Sequence, residues 1–348
     1  MHVHDVTADW ADLSAVPEAL SSWAHNGIAV TAAGELIGFH AGQLVAFDRN
    51  GHVSRSVRPG LTEGHGITLV REGDEEYLWV CDPGFVFEVG LDDGDEEWEA
   101  VFGKGVHVES RRPRVVKMTL EGEILAELPM PRRDPESPPG MMGNYCPCGT
   151  AVDEERFEGT GDIWVADGYG SSLVHRFDRQ GEHRLTLTGE EGAGRFLCPH
   201  AVFIDRRGGK NPELYVADRE NRRVQVYNLE GQYIRTFGNS FLNSPSGFAV
   251  FEDMLVIAEL YSRLAVVDAR DTFVGYVGAT DSTRMGTGWP EQPGWPNALG
   301  RGGRVERVRS LAEDEFNSPH ALAVDVDGNL YVSEWLIGGR YTKLLIDV

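Results

Sequence analysis

Apolar and polar residues alternate with a period of two along most of this chain, in short runs broken by glycine-rich turns. The clearest run is Ser318 to Trp335, SPHALAVDVDGNLYVSEW. Ala321, Ala323 and Asp325 alternate with Leu322, Val324 and Val326, the pattern of a half-buried strand. Asp327-Gly328-Asn329 supplies a turn, since Gly and Asn tolerate positive φ. Leu330-Tyr331-Val332 follows as a second, apolar and β-prone strand that runs to an acidic residue, Glu334, while His320 stands just ahead of the first strand.

The same unit recurs. Aligned on the first strand and the acidic end of the second, the copies begin at Asn26, His65, Cys148, His200, Ser246 and His320. Most continue into a third strand and a Gly turn, as in VHRFDRQG and VQVYNLEG. A repeat of roughly 40–50 residues with about four strands marks a propeller blade, which buries its faces only by stacking on its neighbours. The expectation is an all-β, six-bladed β-propeller formed by residues 1–348 as one domain. Three spacings exceed a plain blade and require inserts, at about 90–114, 129–145 and 278–316. His2–Thr7 is the candidate closing strand, paired with Tyr341–Asp347 so that the ring leaves no open edge. Helical periodicity is nearly absent; Asp12–His25 is the one candidate helix.

Read in order, the register position carries Asn26, His65, Cys148, His200, Ser246 and His320, with histidine on alternate blades. Alternate blades of a six-bladed ring lie about 120° apart. If the position faces the axis, His65, His200 and His320 converge, as three neutral nitrogens with an open fourth position do in a catalytic zinc site. Imidazole suits iron and manganese as well. The plainer alternative is that each histidine bonds a neighbouring loop. Cys148 shares the register and reads as a fourth ligand, a redox-sensitive thiol or a small buried residue. Residues just past the second strand, Tyr169, Arg219 and Tyr261, belong near the same channel end. Asp82, Asp167, Asp218, Glu259 and Glu334 recur in five blades and so read as structural acceptors of backbone N–H groups.

Composition narrows the partners. Formal net charge is −23, and Lys104, Lys117, Lys210 and Lys343 are the only lysines. Such a surface repels nucleic acid and anionic membranes. No leader-like segment and no apolar run of about 20 residues occurs, and Cys81, Cys146, Cys148 and Cys198 form no zinc-ribbon pairs, which together predict a reduced, cytoplasmic protein. The Pro- and Met-rich stretch from Pro129 to Cys148 is long for a connection and reads either as a lid, with Met141, Met142 and Tyr145 packed over a channel mouth, or as a mobile loop. Trp289 and Trp295 suit an aromatic wall over the same pocket.

Five segments, EGHG at 63–66, VADGYGSS at 165–172, CPHA at 198–201, VADRENRRVQVY at 216–227 and the run at 318–335, resemble those of NHL-type six-bladed propellers. Within that group the chain is similar to the catalytic core of peptidyl-α-hydroxyglycine α-amidating lyase. The resemblance implies zinc on His65, His200 and His320, a tyrosine base at Tyr169 and an active-site arginine at Arg219. The family's second arginine falls in a blade-one turn that reads Phe39-His40-Ala41-Gly42 here, so Ala41 replaces it. Ala321 stands where the family has an aspartate that helps hold calcium, which argues against calcium. Gly170 and Tyr215 stand where its disulfide cysteines are expected.

Without the resemblance, a three-histidine metal beside a phenol and a guanidinium suits elimination or hydrolysis on a small hydroxylated or amide-bearing substrate. With the second arginine missing, His40 is a candidate replacement anchor. Two competing expectations are a non-catalytic propeller that presents a surface to partners, and a metal that serves only as a structural plug.

Overall fold

The computed structural model describes residues 2–90, 94–132, 138–279, 292, 294–308 and 312–347. Six four-stranded antiparallel sheets form the six blades of a β-propeller. The inner strands are Ala29–Val30, Gly66–Glu72, Gly149–Val152, Pro199–Asp205, Pro245–Phe251 and Pro319–Val324. In the last blade, Arg340–Asp347 pairs with His2–Thr7, from His2 opposite Asp347 to Thr7 opposite Lys343. The chain ends therefore share one sheet, and the ring closes as the alternation of His2–Thr7 predicts.

Each blade buries one face on the next. Leu78, Val80 and Val116 of blade two pack on Ile37, Phe39 and Leu44 of blade one. Leu214, Val216 and Tyr227 of blade four pack on Trp164, Ala166 and Val174 of blade three. Side chains of this kind contribute roughly 1.5–3 kcal/mol each on burial, and here that gain arises only between blades.

The recurring acids act as clasps. Asp82 accepts the backbone N–H groups of Thr62 at 2.8 Å and Gly84 at 3.0 Å. Asp167 accepts those of Cys146 and Ser171. Asp218 accepts from Leu197, Glu259 from Ser244, and Glu334 from Ser318. Each carboxylate ties the end of a second strand to the loop that enters the same blade.

Two elements depart from the alternation. Asp12–His25 is not an α-helix; it holds only a short 3-10 turn at Pro17–Leu20. Trp23 bridges to Ile337, and the Ala24 N–H donates to the Leu336 carbonyl, so the end of the segment is drawn out as a strap across blade six. Such tertiary pairing overrides weak helical propensity. Among the described residues the one α-helix is Glu96–Phe102, between the hairpin strands Phe85–Val89 and Val106–Ser110. This hairpin and helix lie between the second and third strands of blade two and cover one face of the ring. Phe87 and Phe102 pack there with Trp23 and Trp335.

Candidate metal centre and cavity

Inner strands begin with an irregularity that aims the register residue. In blades four, five and six the pairing slips between Pro199 and Ala201, Pro245 and Gly247, and Pro319 and Ala321. His200, Ser246 and His320 are thus the unpaired residues of β-bulges, which re-aim a side chain at a strand end. Small residues next to the register let the strands close on the axis: a Cβ on Gly66 would come within 2.4 Å of the Cys148 carbonyl oxygen.

His65, His200 and His320 converge. Their ring centroids lie 4.6–5.0 Å apart, and each side chain is buried. The supporting bonds repeat around the ring. Nδ1 of His65 meets the Cys148 carbonyl at 2.7 Å, Nδ1 of His200 the Ser246 carbonyl at 2.8 Å, and Nδ1 of His320 the Asn26 carbonyl at 3.1 Å. Each histidine therefore donates to the register residue of the next blade. A carbonyl only accepts, so the proton of the neutral ring sits on Nδ1 and Nε2 is bare. Burial, joined by the other histidines and Arg219, holds His65 and His200 well below their usual pKa, and burial takes His320 down to about 4.

Three bare nitrogens facing one another lack protons. Nε2 of His65 and Nε2 of His320 are 3.2 Å apart with no hydrogen to share. The Tyr169 hydroxyl lies 3.0 Å from Nε2 of His200 and 3.4 Å from that of His65, but its one proton serves one acceptor at a time. A cation bound by nitrogen ligands satisfies this donor set, so the residues present fit a metal ion.

Tyr169 and Arg219 lie where the sequence puts them. Nη1 of Arg219 donates to the Tyr169 hydroxyl at 3.2 Å, and the guanidinium lies 5.3 Å from the ring centroid. Burial holds the Tyr169 phenol well above its usual pKa, and the Arg219 charge opposes that shift. Tyr261 borders the same cavity as Tyr169 and Arg219, with its ring edge-on to Trp295. Cys148 contributes its carbonyl; its thiol faces the Cys146 carbonyl at 3.6 Å. His40 is no substrate anchor: it is buried, with Nε2 bonded to the Tyr341 hydroxyl at 2.6 Å.

His25 is the residue the repeat pattern missed. It brings a fourth imidazole to the group, and one ligand atom from each of His25, His65, His200 and His320 lies within 4.8 Å of the others. Its Nε2 is 3.1 Å from the Tyr169 hydroxyl.

The ring histidines border an axial channel of about 380 Å³ between the inner strands. His25, Tyr169 and Arg219 border a separate cavity of about 270 Å³, walled by aromatic side chains that include Phe85, Phe87, Trp98, Trp295 and Trp335. Trp295 thus forms part of an aromatic wall, while Trp289 lies outside the described residues. Met141 lines the cavity and Met142 packs on the same cluster, whereas Tyr145 is buried with its ring against His175. Arg219 is the one cationic side chain among the described lining residues, and its Nε already bonds Glu220 at 2.9 Å.

No family model matches the chain. Brain tumor, a Drosophila melanogaster protein, is 32% identical over 114 residues, which span 32% of this chain and 10% of that protein. Peptidyl-glycine α-amidating monooxygenase A of Xenopus laevis is 28% identical over 181 residues, 49% of this chain and 15% of the relative. These matches span small parts of both relatives. The Caenorhabditis elegans protein named "Probable peptidyl-alpha-hydroxyglycine alpha-amidating lyase pgal-1" is 22% identical over 322 residues, 89% of this chain and 79% of that one. Among solved structures, a streptogramin B lyase superposes with a TM-score of 0.56 at 11% identity, covering 99% of this chain and 98% of that one. A catalytically inactive virginiamycin B lyase from Staphylococcus aureus, with quinupristin, gives a TM-score of 0.55 at 13% identity, covering 99% of each chain. The chain is thus a six-bladed β-propeller with weak sequence similarity to NHL-repeat proteins and to the amidating enzymes. Among the described residues no helix is long and apolar enough to cross a membrane.

Proposed function

We propose that this propeller is a metal-dependent lyase that cleaves a carbon–nitrogen bond in a small, largely apolar hydroxylated amide. The observation that carries the reading is the ring of three Nδ1-to-carbonyl bonds, which leaves three bare Nε2 atoms around one point. His65, His200 and His320 would hold the metal: zinc, with iron or manganese as alternatives. When bound, such an ion acidifies and polarises a substrate hydroxyl.

The chain's own residues supply the rest. The aromatic walls exclude water and hold an apolar body. Tyr169 is in position to take the hydroxyl proton once its own proton has left; burial opposes that loss, and the Arg219 cation at 3.2 Å, together with the charge of a bound metal ion, would favour the phenolate. As the C–N bond breaks, the hydroxyl-bearing carbon becomes a carbonyl and the departing amide nitrogen receives a proton. The products are an amide and an aldehyde, and the atoms balance. Among the described lining residues Arg219 is the one cationic side chain that can meet an anionic group of the substrate. The favoured substrate therefore carries at most one negative charge.

Metal analysis of protein purified without chelator tests this first, in wild type and His200→Ala. The expected result is about one ion per chain, lost in the variant. N-acyl α-hydroxyglycines with aromatic acyl groups then release primary amide, and Tyr169→Phe lowers turnover about 100-fold, within the range for loss of a proton-transfer group. Wild-type protein that holds no metal after reloading removes the lyase reading and leaves a binding propeller.

A further inference from the structure

Five blades place glycine or proline immediately ahead of the register residue: Gly64, Pro147, Pro199, Pro245 and Pro319. Blade one places His25 there. Glycine and proline offer no group that reaches the axis, whereas His25 brings a ring nitrogen into the histidine cluster. We propose that His25 is a fourth, exchangeable ligand that closes the metal centre at rest and yields when a small molecule enters the aromatic cavity. This rests on the metal reading above.

Three differences separate His25 from the ring histidines. The first is support. Each ring histidine leads an inner strand and has its Nδ1 proton fixed by a carbonyl. Among the described residues no carbonyl meets Nδ1 of His25. It is oriented by packing: stacked on Trp335 at 5.1 Å and edge-on to His65 at 4.4 Å. A second-sphere partner typically strengthens metal binding 10–100-fold, so His25 is the weakest of the four ligands.

The second difference is location. His25 borders the aromatic cavity, while the ring histidines border the axial channel. A molecule entering the cavity reaches His25 before the others. The third is an alternative partner. Nε2 of His25 lies 3.1 Å from the Tyr169 hydroxyl, so a hydrogen bond is available when the ring leaves the metal. Four histidines fill a four-coordinate site, whereas a catalytic site keeps one position open. A labile fourth ligand reconciles the two and keeps the resting centre from reacting with water.

Cobalt(II) loading of metal-free protein tests the proposal with readouts independent of turnover. Wild type is compared with His25→Ala and with His25→Phe, which keeps an aromatic ring on Trp335 without a ligating nitrogen. X-ray absorption should count four imidazoles in wild type and three in both variants. The visible cobalt bands should weaken and shift as solvent takes the vacated place. Competition with a chelator should show cobalt held about tenfold less tightly in the variants, and azide should bind them at least tenfold more tightly than wild type. Three imidazoles in wild type, with spectra and azide affinity unchanged in the variants, overturn the role of His25 and leave the three-histidine centre standing. Wild type that takes up no cobalt overturns the metal reading itself.

Discussion

Blade one and the other five blades share a plan, and blade one differs at the end of its second strand and in the residue ahead of its register position. Blades two to six end their second strand in a carboxylate that clasps the entering loop. Blade one ends in His40: Ala29 pairs with Ile37, which brings His40 opposite Asn26 just as Asp82 stands opposite His65. His40 clasps nothing in its own loop and bonds instead to Tyr341, in the third strand of blade six. Tyr341 in turn accepts from the Asn26 amide, and the Asn26 carbonyl accepts from His320. The inner strand of blade one is the shortest of the six, Ala29–Val30, and its entering loop is the strap that carries His25. The difference teaches that the clasp is what makes a blade self-contained. Without it, the loop is fixed across the ring closure by blade six and is free to deliver an extra side chain to the axis.

The largest expected effect comes from removing a clasp. Glu334 and Arg340 form a buried ion pair, and Glu334 also accepts the N–H groups of Asn317 and Ser318. Glu334→Ala leaves a buried guanidinium and two N–H groups without their acceptor, a change that costs about 3–5 kcal/mol. Urea denaturation should show that loss with an unchanged slope. A loss below about 1 kcal/mol would mean that the clasps are incidental and that blade one is not an exception.

Much of this was legible in the sequence, because a repeat prints its structural rules several times. The period-2 runs mark the strands, recurrence separates the structural acids from residues present once, and the alternation of histidine at the register brings His65, His200 and His320 together. What escaped was non-repetitive. His25 sits one residue before the register, inside a segment whose spacing resembles a helix; the signal was the contrast with Gly64 and the four prolines at that place. The hairpin from Phe85 to Ser110 and its helix belong to no repeat, so Phe85, Phe87 and Trp98 gave no sign that they wall a cavity. His40 looked like a substrate anchor because its turn differs from the family's, but its hydrogen-bond partner, Tyr341, is 301 residues away.

A smaller effect isolates the blade-one histidine by pH. Burial lowers the pKa of His40 to about 3. In the unfolded chain a histidine takes up a proton near pH 6.5, which the folded protein refuses. His40 therefore contributes full stability above about pH 6.5 and loses it as pH falls toward 3. Asp167 and Glu63, raised to about 7 and about 8 by burial, act in the opposite sense, losing stability as pH rises through those values. They are common to both proteins and cancel in the comparison. His40→Gln removes the titration, so the gap between variant and wild type in metal-free protein should move by about 2 kcal/mol in favour of the variant between pH 7.5 and pH 5. Parallel pH profiles would show that His40 is not buried neutral.

The smallest effect asks whether the odd-numbered blades support the histidines through backbone or side chain. Ser246 stands at the register of blade five as Asn26 does in blade one, and each offers its carbonyl to a ring histidine. The side chains diverge. Asn26 reaches across the closure to Tyr341, while the Ser246 hydroxyl contacts the Ala258 and Pro319 carbonyls. Ser246→Ala deletes only the hydroxyl and leaves the carbonyl that orients His200. A loss of about 1 kcal/mol in stability is expected, with metal affinity unchanged within twofold. Asn26→Ala also keeps its carbonyl but cuts the link from blade six, so it should cost more in stability and still spare the metal. If Ser246→Ala weakens metal binding as a missing second-sphere partner does, by tenfold or more, the side chains at the register matter as much as the carbonyls. The contrast between blade one and the rest would then lie in the register residue itself rather than in the clasp.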